Sequence, residues 1–187
     1  MKLAGRIALA IAGIMLAGGA AFAGTPIKAL IVDGQNNHDW KSCSSLMKTI
    51  LENAGLFQVD VATAPAEKKD MPGFRPNFND AGVVVLNYNG DAWPEQTRND
   101  FVEYVKKGGG VVAVHAADNS FPGWVEYNEM IGLGGWGGRN EKSGPYVYYK
   151  DDKLVRDTSP GGGGGRGRQH EWVVDTRAPD HPVMKGL

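Results

Sequence analysis

Two of the four histidines stand where a side chain is best placed to do chemistry. His115 follows directly on Val111-Val112-Ala113-Val114, and His38 lies just beyond Ile27-Lys28-Ala29-Leu30-Ile31-Val32. An imidazole changes charge near neutral pH, so either can serve as general acid, general base or metal ligand. Polar residues gather around them: Asp33, Asn36, Asn37, Asp39 and Trp40 in the first cluster, and Asp118 and Asn119 in the last. A third cluster, Asn87, Tyr88, Asn89 and Asp91, follows Val83-Val84-Val85-Leu86. The expectation is a site with His115 and His38 as catalytic groups. Asp33, Asn37, Asp39, Trp40, Asn87, Tyr88 and Asp118 would bind substrate. A divalent metal, if one is held, would sit on His38 and His115, although no ligand spacing demands one.

Each residue also has a plainer reading. His38 and Asp39 could simply open a helix, Asp39 as its cap, and Asn87 could do no more than bond its own turn. His115 could be a buried ring satisfied by backbone. His170 and His181 are weaker candidates, and His181-Pro182 reads equally well as a turn. Trp40, Trp93, Trp124 and Trp136 are candidate aromatic platforms for sugar rings, or else core and rim residues. Cys43 lies early in an amphipathic stretch rather than on a strand-to-helix elbow, which argues against a nucleophile. The chain has no Gly-x-Ser-x-Gly elbow and no His-Glu-x-x-His run. Gly-x-Gly-x-x-Gly is absent after the first strand, so no nucleotide cofactor is expected.

The elements that must position these residues alternate. Apolar runs at 27–32, 82–88 and 111–114 read as strands buried on both faces, and 57–63 as a further strand. Residues 40–54 carry Leu46/Ile50 and Met47/Leu51 at helical spacing, with Asp39 as N-cap and Gly55 just past the end. A second helix begins at Pro94-Glu95, buries Phe101, Val102 and Val105, and stops at Gly108-Gly109-Gly110. The order predicts an α/β fold whose parallel sheet is covered on both faces, and such sheets bind ligands outside the carboxyl ends of their strands. The three polar clusters fall at those ends. Beyond His115, residues 123–131 read as a short helix, 146–149 as a strand and 150–153 as a turn. Residues 64–80 read as loop, Gly161–Gly165 as a flexible loop, and His170–Asp175 as a strand.

Composition sets the outer bounds. With 42% hydrophobic residues and a formal charge of −1, the chain is expected to build a core. No nucleic-acid partner is expected, because phosphate binding needs a basic footprint. A single cysteine excludes an internal disulfide framework. Most of the 27 glycines lie between Gly108 and Gly167, without a collagen period. Residues 1–23 read as a signal peptide: Lys2 and Arg6, an apolar run from Ile7 to Leu16, and Ala21-Phe22-Ala23 before a cut at Gly24. That run is short for a membrane span. Export to a bacterial periplasm is the expectation, with residues 24–187 as the working domain and no stable span after cleavage.

Together, three stretches carry a family resemblance. Ala29–Trp40, Gly108–Ala117 and Asp180–Leu187 resemble the landmarks of the ThuA-like (trehalose-utilisation) family. The resemblance implies a flavodoxin-like, three-layer sheet similar to the class I glutamine amidotransferase domain. It also implies a place in carbohydrate catabolism, with a 3-keto disaccharide or glycoside as substrate. An amidotransferase would carry a nucleophilic cysteine where this chain has His115, so glutaminase activity is not expected. Family members continue past the last landmark into an acidic segment, and on that ground the domain is expected to be C-terminally truncated. The alternative to an enzyme is a non-catalytic sugar-binding or scaffold module. Ionisable groups on the rim favour chemistry.

Overall fold

The computed structural model describes residues 24–132, 134, 138–163 and 168–186. The expected signal peptide, Trp136 and part of the glycine loop lie outside the described residues. The chain folds as β1 (Ile27–Asp33), α1 (Trp40–Asn53), β2 (Phe57–Thr63), β3 (Val83–Leu86), α2 (Glu95–Lys106), β4 (Gly110–Ala113), α3 (Val125–Ile131), β5 (Tyr146–Lys150) and β6 (Lys153–Asp157). Strands β1 to β4 form a parallel sheet in the order β2-β1-β3-β4.

Alternation along each strand separates the two faces. Leu30, Val32, Val84 and Leu86 point into the larger core, an aromatic cluster that includes Phe78, Trp93, Phe101, Phe121 and Tyr127. Ala29, Ile31, Val59 and Val85 face the other way, against Met47 and Leu51 of α1. The result is three layers: α1, the sheet, and α2 with α3. Of the two helical pairs, only Met47/Leu51 turns inward, whereas Leu46 and Ile50 are exposed. Among the described residues the α1 side is only partly covered, and Val112 of β4 is 49% exposed. One helix about 10 Å across cannot roof strands that repeat every 4.8 Å or so.

Asp39 caps α1, accepting from the Ser42 backbone N–H at 3.2 Å, and Gly55 follows the helix at φ +69°. The second helix stops as expected, with Gly108 at φ +92°. The 64–80 loop contains a 3₁₀ turn at Lys68–Gly73 that sends Met71 and Phe74 into the core.

Beyond α3 one expectation holds and one changes. The 146–149 strand exists, but as half of an antiparallel hairpin with β6, and Asp151 and Asp152 both adopt left-handed φ at its tip. Residues 170–175 do not form a strand. A strand is defined by its ladder partner, and no described segment pairs with this one. Trp172, Val173 and Val174 are left 72–83% exposed.

Candidate functional site at the carboxyl edge of the sheet

The sheet register aligns Val32, Leu86 and Ala113 along one edge, because Val32 pairs with Leu86 and Leu86 with Ala113. The strand order changes direction between β1 and β3, which is where an open parallel sheet leaves a crevice. Three loops leave the sheet there: Gly34–Asp39 after β1, Asn87–Asp91 after β3, and a 3₁₀ turn, His115–Asn119, after β4.

The first loop can turn because Gly34 sits at φ +118°, where a Cβ would run into the Ala64 backbone. Gln35 then joins the 64–80 loop to the β3 loop. Its amide donates to the Pro65 carbonyl at 2.6 Å, its side-chain oxygen accepts from Asp91 N–H at 2.8 Å, and its carbonyl accepts from Asn89 N–H at 2.8 Å. Asn36 places His38: its Oδ1 accepts from His38 N–H at 3.1 Å, and its amide donates to Asn87 Oδ1 at 3.3 Å.

His115 is held from below. The turn rests on buried Ala116 and Ala117, and the Tyr127 hydroxyl donates to the Ala117 carbonyl at 2.8 Å. The Ser120 hydroxyl donates to the Tyr88 carbonyl at 2.5 Å and ties this turn to the β3 loop. His115 itself adopts φ +48°, a conformation that costs a non-glycine residue about 1–3 kcal/mol. The strain aims the ring. His115 Nε2 lies 3.1 Å from His38 Nε2, with ring centroids 4.6 Å apart and planes inclined by 50°. Both rings are exposed.

The other candidate residues fall into two groups. Asn37 and Asp39 are exposed beside His38, Trp40 is half-buried, and Asp118 is half-buried beside His115. Burial raises the Asp118 carboxyl above its ordinary range, while the charge of His115 pulls it back down. The Asp39 carboxylate is held below its usual range by Ser42. Asp33, Asn87 and Tyr88 are buried instead. Asp33 accepts from the Thr63 hydroxyl at 2.7 Å. The Asn87 amide donates to the Trp40 carbonyl at 3.1 Å and Ser44 Oγ at 3.0 Å. The Tyr88 hydroxyl donates to the Asp91 carbonyl at 2.7 Å, and its ring stacks on Phe121. These three side chains are used in building the rim.

Trp93 and Trp124 are core residues, 2% and 6% exposed, rather than sugar platforms. His170 and His181 bond only locally, His170 to the Glu171 carbonyl and His181 to Val183 N–H. Cys43 is exposed on α1. Gln35 and Ser120 were not foreseen, because a bridging amide or hydroxyl carries no spacing signal. Among the described residues no cluster of three His, Cys, Asp or Glu could hold a metal ion, and no helix is long and apolar enough to cross a membrane. Chemically, the pair brings two imidazole nitrogens within hydrogen-bond distance at the exposed edge of the sheet.

Comparison with known proteins shows which family the chain resembles. The sequence profile described as ThuA, trehalose utilisation, matches residues 28–187. A solved ThuA-like protein from Parabacteroides merdae is 56% identical with a TM-score of 0.80, over 87% of this chain and 58% of that one. This chain thus spans well under two thirds of that relative's length. A ThuA-like protein from Bacteroides uniformis is 22% identical with a TM-score of 0.44, over 60% of this chain and 46% of that one. No curated protein matches the chain.

Proposed function

The chain belongs to the ThuA (trehalose-utilisation) family, and from that premise we propose that it acts on a 3-keto disaccharide or glycoside through acid–base chemistry of His38 and His115. The observation that supports this reading is the 3.1 Å approach of the two Nε2 atoms at the carboxyl edge of the sheet. Two neutral imidazoles in that contact present one N–H and one lone pair, a base and an acid side by side.

A ketone at C3 acidifies the neighbouring C2–H. One imidazole takes that proton and the electron pair forms an enediolate. As the C3 carbonyl re-forms, the pair closes C1=C2 and the C1–O bond breaks. The leaving oxygen takes its proton from the other imidazole. The sum is an elimination that needs no oxidant or reductant. Return of the proton to the adjacent carbon gives an isomerisation instead. Asn37, Asp39, Trp40 and Asp118 would bind the sugar hydroxyls. Asp33, Asn87 and Tyr88 would support the rim. The reading includes export to a bacterial periplasm, with residues 1–23 as signal peptide.

The test is incubation of the protein with 3-keto-trehalose or a 3-keto-glucoside, with products followed by mass spectrometry. Turnover that disappears in His115→Ala supports the enzyme. Unchanged turnover in that variant sinks the assignment. Saturable binding without turnover would instead identify a sugar-binding module.

A further inference from the structure

The contact between His38 Nε2 and His115 Nε2 needs one ring to donate and the other to accept. Asn89 is fixed through its backbone, whose N–H donates to the Gln35 carbonyl at 2.8 Å. Its side-chain Nδ2 donates to Asn37 Oδ1 at 3.1 Å. An amide whose oxygen is engaged on one side turns its NH₂ to the other. Asn37 Nδ2 accordingly lies 3.5 Å from His38 Nε2. An NH₂ group has only hydrogens to offer. A ring nitrogen facing it is favoured as a lone pair, with the ring's hydrogen on Nδ1.

From this geometry we propose that Asn89 and Asn37 are positioning residues that keep His38 Nε2 as the proton acceptor and leave the shared proton on His115 Nε2. His38 is then the base and His115 the acid; the assignment of roles rests on the reading of the pair as the site. At 3.5 Å the Asn37 contact is long for a hydrogen bond, and it acts as an oriented dipole.

The experiment is long-range ¹H–¹⁵N correlation of the imidazole rings in ¹⁵N-histidine-labelled protein. His38→Ala and His115→Ala assign the signals. In the unsubstituted protein His38 is expected as the Nδ1–H tautomer and His115 as the Nε2–H tautomer. Asn89→Asp supplies the informative contrast. A carboxylate only accepts, so Asn37 must turn its NH₂ toward position 89 and its oxygen toward His38. His38 is then expected to switch to Nε2–H. Asn89→Ala should lower kcat about 10- to 100-fold with KM changed much less. The reverse tautomers in the unsubstituted protein, or an unchanged His38 tautomer in Asn89→Asp, would overturn the proposal. The tautomer readout is independent of turnover, so absent turnover with the expected tautomers would reject the enzymatic reading and leave the positioning role of Asn89 and Asn37 intact.

Discussion

His38 and His115, separated by 77 positions in sequence, face each other nitrogen to nitrogen across the carboxyl edge of the sheet. Neither ring is buried, so the contact is held by the backbones beneath the rings. On one side Asn36 fixes the His38 amide to the Asn87 loop, and on the other Tyr127 fixes the turn that begins at His115. Removing either ring should therefore cost chemistry and not the fold. His38→Ala and His115→Ala are each expected to lower kcat for a 3-keto glycoside about 10²- to 10⁴-fold. Circular dichroism and the unfolding midpoint should match those of the unsubstituted protein.

The strain at His115 gives a test in the opposite direction. Glycine adopts φ +48° freely, so His115→Gly should relieve up to about 1–3 kcal/mol while abolishing turnover. Part of that gain is offset by the greater freedom of glycine in the unfolded chain. The expected result is an inactive variant with an unchanged or higher Tm. A marked fall in Tm would mean that the ring contributes to stability and that the backbone is not under tension.

Gly34 is the reverse case. At φ +118°, with the Ala64 backbone where a Cβ would go, Gly34→Ala must displace either the β1 turn or the start of the 64–80 loop. A loss of at least about 2 kcal/mol is expected in urea unfolding. Gly55→Ala makes the comparison: it has positive φ but no atom within 4 Å, so its cost should be smaller.

Asn87 tests the frame under His38. Asn87→Ala leaves the Trp40 carbonyl and Ser44 hydroxyl without their partner in a buried setting, at about 1–3 kcal/mol. It also removes one acceptor of the Asn36 amide. Chemical denaturation should show the stability loss. Turnover should fall even at temperatures where the variant is fully folded.

Asp118 makes a prediction about pH. Burial raises its carboxyl above the ordinary range, so the folded protein binds this proton more tightly than the unfolded chain does. Stability attributable to this group is full below its ordinary range. It is lost as pH rises through the raised value, because ionising Asp118 in place is unfavourable. Asp118→Asn should abolish that component. Its unfolding midpoint, compared with that of the unsubstituted protein, should gain as pH rises from about 3 to 7. A parallel pair of pH profiles would contradict the assignment.

Local period and end signals settled much of the architecture from the residues alone. The limits of β1, α1 and β2 follow from unbroken apolar runs, the Asp39 cap and the glycine after the helix, all of which act within a few residues. Both histidines of the pair were legible for the same reason: each follows an apolar strand. What the sequence could not settle were choices made by distant neighbours. Asn87 and Tyr88 read as substrate-binding residues, but Trp40 and Ser44 take the Asn87 amide, Phe121 stacks on Tyr88, and both side chains are buried. Trp93 and Trp124 pack into the core because Phe78, Phe101 and Phe121 arrive from elsewhere in the chain. Residues 170–175 carry the pattern of a strand with no partner strand among the described residues. Periodicity is a property of neighbours in sequence, whereas a hydrogen-bond partner, a buried ring and the 3.1 Å between two imidazoles are fixed only when separate strands are laid side by side.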